Sequence, residues 1–231
     1  MSPLLAAGLS PAADGAISVA VNGGGSAPVK LFLLMTALSF ATALLVSVTS
    51  FTRIVIVLAF LRQALGVPQL PPNQVVMGLA LVLSFFVMAP TANRVYADAL
   101  GPYLEDRIGH AEALSRASAP VREFMLRQTR EQDLSLFYEI SRSPRPSAGE
   151  PVPMSIAMPA FMVSELTTAF RMGLFLYVPL LLVDLIVSAI LMSMGMMMVP
   201  PTLIALPVKV ALFLMADGWR LVVASLARSF G

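Results

Sequence analysis

The sequence predicts an all-α membrane protein in which about four long hydrophobic helices form two hairpins, with a small helical polar domain between them. Three observations carry that reading. Hydrophobic residues make up 58% of the chain and charged residues 12%, with a mean hydropathy of +0.84; a soluble domain of that composition would cover its surface with apolar patches. Residues 31–52, 63–93, 172–183 and 185–208 carry no charge, and about 20 mainly apolar residues suffice for a helix to cross the hydrocarbon. Residues 94–150 hold 8 of the 15 basic and 9 of the 13 acidic side chains, which sets apart one water-facing domain. Nothing alternates as barrel strands do, so helices are the default at membrane depth.

Residues 1–30 are rich in Ala, Gly, Ser and Pro and end in Asn22-Gly23-Gly24-Gly25-Ser26-Ala27-Pro28, a composition that predicts a mobile lead-in. Residues 1–15 contain neither Lys nor Arg, so they are not read as a signal peptide. The first hairpin, 31–93, has expected spans at 31–51 and 73–93, with Arg53 and Arg62 in the connection. The polar domain follows at 94–150. There Pro120 suits a first helical turn, and Val121, Phe124, Met125 and Gln128 recur at i, i+3, i+4 and i+7, which predicts an amphipathic helix. Leu134, Leu136, Phe137 and Ile140 extend the apolar content until residues 143–149 break it. Too small for a large core, the domain is expected to be a helical pair packed on its neighbours. The second hairpin, 151–231, has expected spans at 172–194 and 202–222. Residues 159–194 would cover about 54 Å as one helix, beyond a hydrocarbon core of about 30 Å; either Pro179 bends it or part of it stands outside the lipid.

Several function classes lose support. The net charge of +2 comes without a basic run, so no nucleic-acid partner is expected, and zero cysteines exclude disulfides and thiolate metal sites. No metal-ligand, nucleophile-elbow or phosphate-loop motif is present, so neither a cofactor nor an enzymatic activity is expected. The single histidine, His110, is read as a solvated loop residue. A secondary transporter would be expected to show internal repeat symmetry, and none is found.

Two features remain. Asp184 and Lys209 sit inside apolar runs, each 12 to 13 residues from the centre of the turn between the last two spans. An ionisable side chain in that position usually faces a bundle interior and has a partner. They are expected to pair, fixing helix register, with a proton relay as the other reading. The turn itself, Gly195-Met196-Met197-Met198-Val199-Pro200-Pro201, clusters the most adaptable apolar side chain. It reads either as packing in a tight connection or as a deformable seal. Glu165 and Arg171 read as interfacial scaffolding, and Asp217 and Arg220, at i and i+3, as a local ion pair. Lys and Arg counts in the loops put residues 94–150 in the cytoplasm.

The runs Thr49-Ser50-Phe51-Thr52-Arg53-Ile54-Val55-Ile56-Val57, Leu61-Arg62-Gln63-Ala64-Leu65-Gly66 and Pro71-Pro72-Asn73-Gln74-Val75 resemble the FliP family of type III export gate subunits. So do residues 124–131, Ser164-Glu165-Leu166 with Thr168-Ala169-Phe170, the methionine turn, and Asp217-Gly218-Trp219. The likeness runs from about residue 31 onward. It implies a pore-forming subunit of the flagellar export gate in the bacterial inner membrane, a pentamer with FliQ-like and FliR-like subunits and larger export gate proteins. Unfolded flagellar proteins would be its cargo, and a paralogous injectisome gate subunit is the alternative. The resemblance implies a periplasmic place for residues 94–150, against the arginine count. It further implies a pore constriction at Met196, Met197 and Met198, a nearby aromatic at Phe137, and assembly roles for Glu165, Asp184 and Lys209.

Overall fold

The computed structural model describes residues 27–67, 71–144, 150–196 and 198–231. The expected lead-in up to residue 26, most of the break at 143–149, and Met197 lie outside the described residues. All regular structure described is helical. Residues 46–231 form one compact unit, and most of the first helix, α1 (Ala27–Val48), belongs to the other. α1 is rich in apolar residues, with Phe32, Leu34, Met35, Leu38 and Phe40 exposed.

α1 ends where Thr49 and Ser50 interrupt the helical ladder, and a short helix, α2 (Phe51–Leu65), begins. Ser50 does not cap α2; its buried hydroxyl instead meets that of Ser84 at 3.1 Å. At the other end Gly66, at φ 75°, donates its N–H to the Gln63 carbonyl, the left-handed cap that glycine supplies without strain. Arg53 and Arg62, expected in a connection between spans, are therefore helical. α2 buries Arg53, Ile54, Val57, Leu58, Leu61, Ala64 and Leu65 along one broad stripe, and only Ala59 and Gln63 of its other residues are exposed, so it is an embedded core element.

α3 (Asn73–Val95) pairs with α2 and runs on through a π-helical turn, Tyr96–Leu100, into α4 (Gly101–Leu104). Pro102 has no N–H, and its ring would meet the carbonyl of residue 98 in a regular helix, which the wider turn relieves. α5 (His110–Gln128) and α6 (Glu131–Ser141) form the polar part. The expected amphipathic face is present, with Phe124 and Met125 buried. Its start was misplaced, because Pro120 lies inside the helix and α5 begins at His110. The Ala-rich stretch before the proline sustains helix at the loss of one backbone bond. His110, expected in a solvated loop, opens α5, and its Nε2 lies 2.7 Å from the Tyr103 hydroxyl, with the rings edge to face. Arg94 reaches across to Glu123 at 2.7 Å and holds that carboxyl below its ordinary range. That contribution is present above the usual glutamate pKa and fades as acid protonates Glu123.

α7 (Met154–Ser193) is one 40-residue helix that continues through Pro159 and Pro179. Burial divides it. Ile156, Ala157, Ala160, Phe161, Ser164, Glu165, Ala169 and Gly173 are buried in the half covered by α2, α5 and α6, whereas after Gly173 only Leu191 is buried and Phe175, Leu182, Leu185 and Ile186 are exposed. α8 (Pro201–Met215) packs on α7, and α9 (Gly218–Arg228) returns Val222 and Leu226 to the core beside α2.

Against four expected spans, among the described residues two helical stretches, residues 73–104 and Met154–Ser193, are long and apolar enough to cross a bilayer, and α8 with α9 would make a third if that bent pair is one span. The expected helix 202–222 breaks by 63° at Ala216 and Asp217. Asp217 adopts φ 51°, and a Cβ on Gly218 would lie 2.2 Å from the Phe213 ring, which packs edge-on against Trp219. That corner needs a residue without a side chain.

The α2–α7 contact makes a similar demand. A Cβ at Gly173 would fall 2.6 Å from the Phe60 ring, itself packed edge-on against Phe170, whereas Gly78 faces open space. Gly173→Ala should cost about 1–3 kcal/mol by overpacking, and Gly78→Ala should gain about 0.5–1 kcal/mol in helix propensity. Thermal unfolding of the detergent-purified chain distinguishes the two, with a lowered midpoint only for Gly173→Ala.

Candidate functional site

Three polar centres interrupt the apolar helices. The first is Arg53, 2% exposed, facing Glu165, 0% exposed. All five guanidinium N–H groups find acceptors. Nε donates to Glu165 Oε2 at 2.9 Å and Nη2 to Glu165 Oε1; Nη1 donates to the Ser229 carbonyl at 2.8 Å and its hydroxyl at 3.0 Å, and Nη2 also reaches Gln128 Oε1 at 3.1 Å. The guanidinium lies 3.9 Å from the Phe230 ring centroid, and Gln128 Nε2 closes the circuit on the Phe230 carbonyl at 3.0 Å. One side chain thus ties α2 to α5, to α7 and to the segment after α9. Only arginine has this planar set of five donors. Glu165, expected as interfacial scaffolding, is buried in the core.

Beside it, Ser164 accepts the Arg130 N–H at 2.9 Å and donates to Asp133, whose carboxylate also receives Arg130 Nε at 2.8 Å. The corner between α5 and α6 is pinned to α7 there. Adjacent residues of one helix therefore hold two different neighbours.

The second centre brings Asp184 and Lys209 together. Lys209 Nζ lies 2.6 Å from Asp184 Oδ2 and donates to the Ala64 carbonyl at 2.9 Å. Lys209 is buried at 5%, while Asp184 keeps about a third of its side chain exposed. The carbonyl partner has no signature in the sequence, since it is backbone. It belongs to the last turn of α2, where unpaired carbonyls attract a cation. The local pair Asp217–Arg220 also forms, at 3.8 Å on the surface.

The third centre is the methionine turn. α7 closes with Gly195 at φ 74°, its N–H donating to Met192 and the Met196 N–H to Leu191, both at 3.0 Å. This is the doubled cap that satisfies the final carbonyls of a helix. Pro200 and Pro201 then start α8, where a missing N–H costs nothing. Between these fixed ends Met196 is 41% exposed and Met198 97%. Phe137 is half-buried on α6, which meets α7 at Ser164, roughly 40 Å along the helix from its Ser193 end. A single chain does not bring Phe137 and the methionines together. Among the described residues no group of His, Asp and Glu converges as metal ligands would.

Removing one partner of a buried pair leaves an uncompensated charge and costs about 3–5 kcal/mol. Arg53→Lys, with three donors for five acceptors, should therefore lower the yield of folded protein almost as far as Arg53→Ala, read by size-exclusion recovery in detergent. At the second centre, Asp184→Ala and Lys209→Ala should couple, the double variant losing less than the sum. Exchanging the two charges should restore little, because a carboxylate at 209 cannot donate to the Ala64 carbonyl.

The FliP family matches residues 34–226, which takes in the second and third centres and Arg53, Gln128 and Glu165 of the first. The chain is 52% identical over 211 residues to a flagellar biosynthetic protein FliP of Pectobacterium carotovorum subsp. carotovorum, an alignment covering 90% of this chain and 82% of the relative. It is 47% identical to one of Bacillus subtilis, covering 89% of this chain and 93% of the relative, and 48% identical to one of Aquifex aeolicus, covering 87% and 85%. With the match spanning every element from α1 to α9, the chain belongs to the FliP family.

Proposed function

We propose that this chain is a pore-forming subunit of the flagellar type III protein export gate in the bacterial inner membrane, passing unfolded flagellar proteins. As a member of its family it is a non-enzymatic component of flagellar export. The observation that carries the pore reading is the methionine turn, held at both ends by a satisfied helix cap and a proline pair while Met196 and Met198 are exposed. A gate must close against ions yet yield to chains of any sequence, and unbranched thioethers adapt to both. Several copies around one axis, five by the family likeness, would bring these turns together. The exposed apolar sides of α3 and α7 suit lipid and neighbouring subunits of the FliQ and FliR kinds, with larger export gate proteins beyond them.

Burial along α7 supports a body that stands off the bilayer. Residues 174–193, of which only Leu191 is buried, span about 30 Å, the thickness of a hydrocarbon core. The charged helices α5 and α6 pack on the other half of α7. α3 lies at that same level, beside Arg94 and Glu123, so its apolar face is assigned to other subunits. Residues 94–150 are assigned to the periplasm.

Two experiments test this reading. Replacing Met196, Met197 and Met198 together with Ala should leave assembly on native gels intact while cells overproducing the gate subunits leak ions; lost assembly without a leak would refute the seal. Ser115→Cys, in this cysteine-free chain, should react with a membrane-impermeant maleimide on intact spheroplasts. Labelling only after lysis would place the polar helices in the cytoplasm.

A further inference from the structure

One cavity is used by none of these centres. It has a volume of about 230 Å³ between α2, α3 and α9, and its wall includes Leu58, Leu61, Leu65, Val76, Leu79 and Trp219. Apart from Arg62 the lining side chains are apolar. Arg62 is half-buried, with its guanidinium donating to Asn73 Oδ1 at the first residue of α3. Among the described residues no carboxylate forms an ion pair with it, unlike Arg53, Arg94, Arg116 and Arg130. The first turn of α3 adds N–H groups without helical partners and the positive end of the helix dipole.

The position of this cavity along the molecule is informative. Arg62 lies on α2 between Phe60, which faces Gly173, and Ala64, which receives the amine paired with Asp184. At that level the run of buried residues on α7 ends with Gly173, and beyond it only Leu191 is buried. Arg171 and Arg220, both exposed, and Trp219 belong to the same level, and Trp with Arg is the side-chain pairing that marks a membrane–water interface.

We infer that this cavity holds an acyl chain of an anionic glycerophospholipid, with Arg62 and the start of α3 binding its phosphate. A cation without a carboxylate partner at the mouth of a dry apolar cavity is complementary to a ligand that is anionic at one end and hydrocarbon at the other. A helix of a partner protein would need a longer groove. The inference rests on the helices meeting a bilayer, and it stands whether or not the methionine turn is a seal.

Trp219 is the only tryptophan in the chain and lines the cavity, so its fluorescence reports occupancy directly. The full chain in non-ionic detergent is titrated with phosphatidylglycerol or phosphatidylcholine brominated on the acyl chains. Quenching should saturate, with a midpoint about fivefold lower for the anionic lipid, the preference one arginine confers near an anionic surface. Arg62→Gln should retain quenching and equalise the two lipids. Val76→Phe, which fills the cavity, should abolish the saturable phase; near-ultraviolet circular dichroism verifies that each variant is folded. Native mass spectrometry of the assembled oligomer should show retained anionic lipid, reduced by Arg62→Gln. Unsaturable quenching, equal midpoints for both lipids in the unaltered chain, a preference untouched by Arg62→Gln, or an oligomer stripped of lipid would each overturn the inference.

Discussion

A buried arginine with every donor satisfied is the constraint around which this fold closes. Arg53 sits on a short helix embedded in the core, and its acceptors come from three distant parts of the chain. Desolvating a guanidinium and a carboxylate costs several kcal/mol each, which their attraction offsets only when geometry is good and the remaining donors are used. Glu165 satisfies the first condition, and Ser229 with Gln128 the second. The arrangement is intolerant of alternatives, because any packing that shifts α5 or the segment after α9 strands a buried donor. Apolar faces alone would let these helices slide, since one leucine contact resembles another.

From that centre outward, polar contacts become simpler and more exposed. The Arg130–Asp133–Ser164 group fixes the polar helices to α7, and the Lys209–Asp184 pair fixes α8 to α7 and to the end of α2. Beyond them the methionine turn has only backbone bonds to define it. Many side-chain bonds at one end of α7 and few at the other suit the ring of gate subunits proposed above.

Much of the candidate site was legible. Asp184 and Lys209 stand out as charges in apolar runs, and their equal distances from the turn anticipate the contact. Gln128 appeared on the right face of α5 from periodicity alone, although its bond to Arg53 did not. The helix corner at Asp217 was missed, because hydropathy runs straight through it and only the Phe213 ring against Gly218 reveals the bend. α2 was missed for the opposite reason: its charges at positions 53 and 62 make it read as a connection, although the structure buries one of them completely.

The sequence by itself determined membrane character, helical class, the polar segment, the methionine turn and family membership, because these follow from local composition, spacing and matched runs. Tertiary structure alone decided which helix is central, where α7 passes from covered to exposed, and which charges meet. Those outcomes depend on acceptors more than a hundred residues away in the chain, as Glu165 and Ser229 are from Arg53, or on backbone carbonyls such as that of Ala64, which every residue carries and no sequence pattern marks.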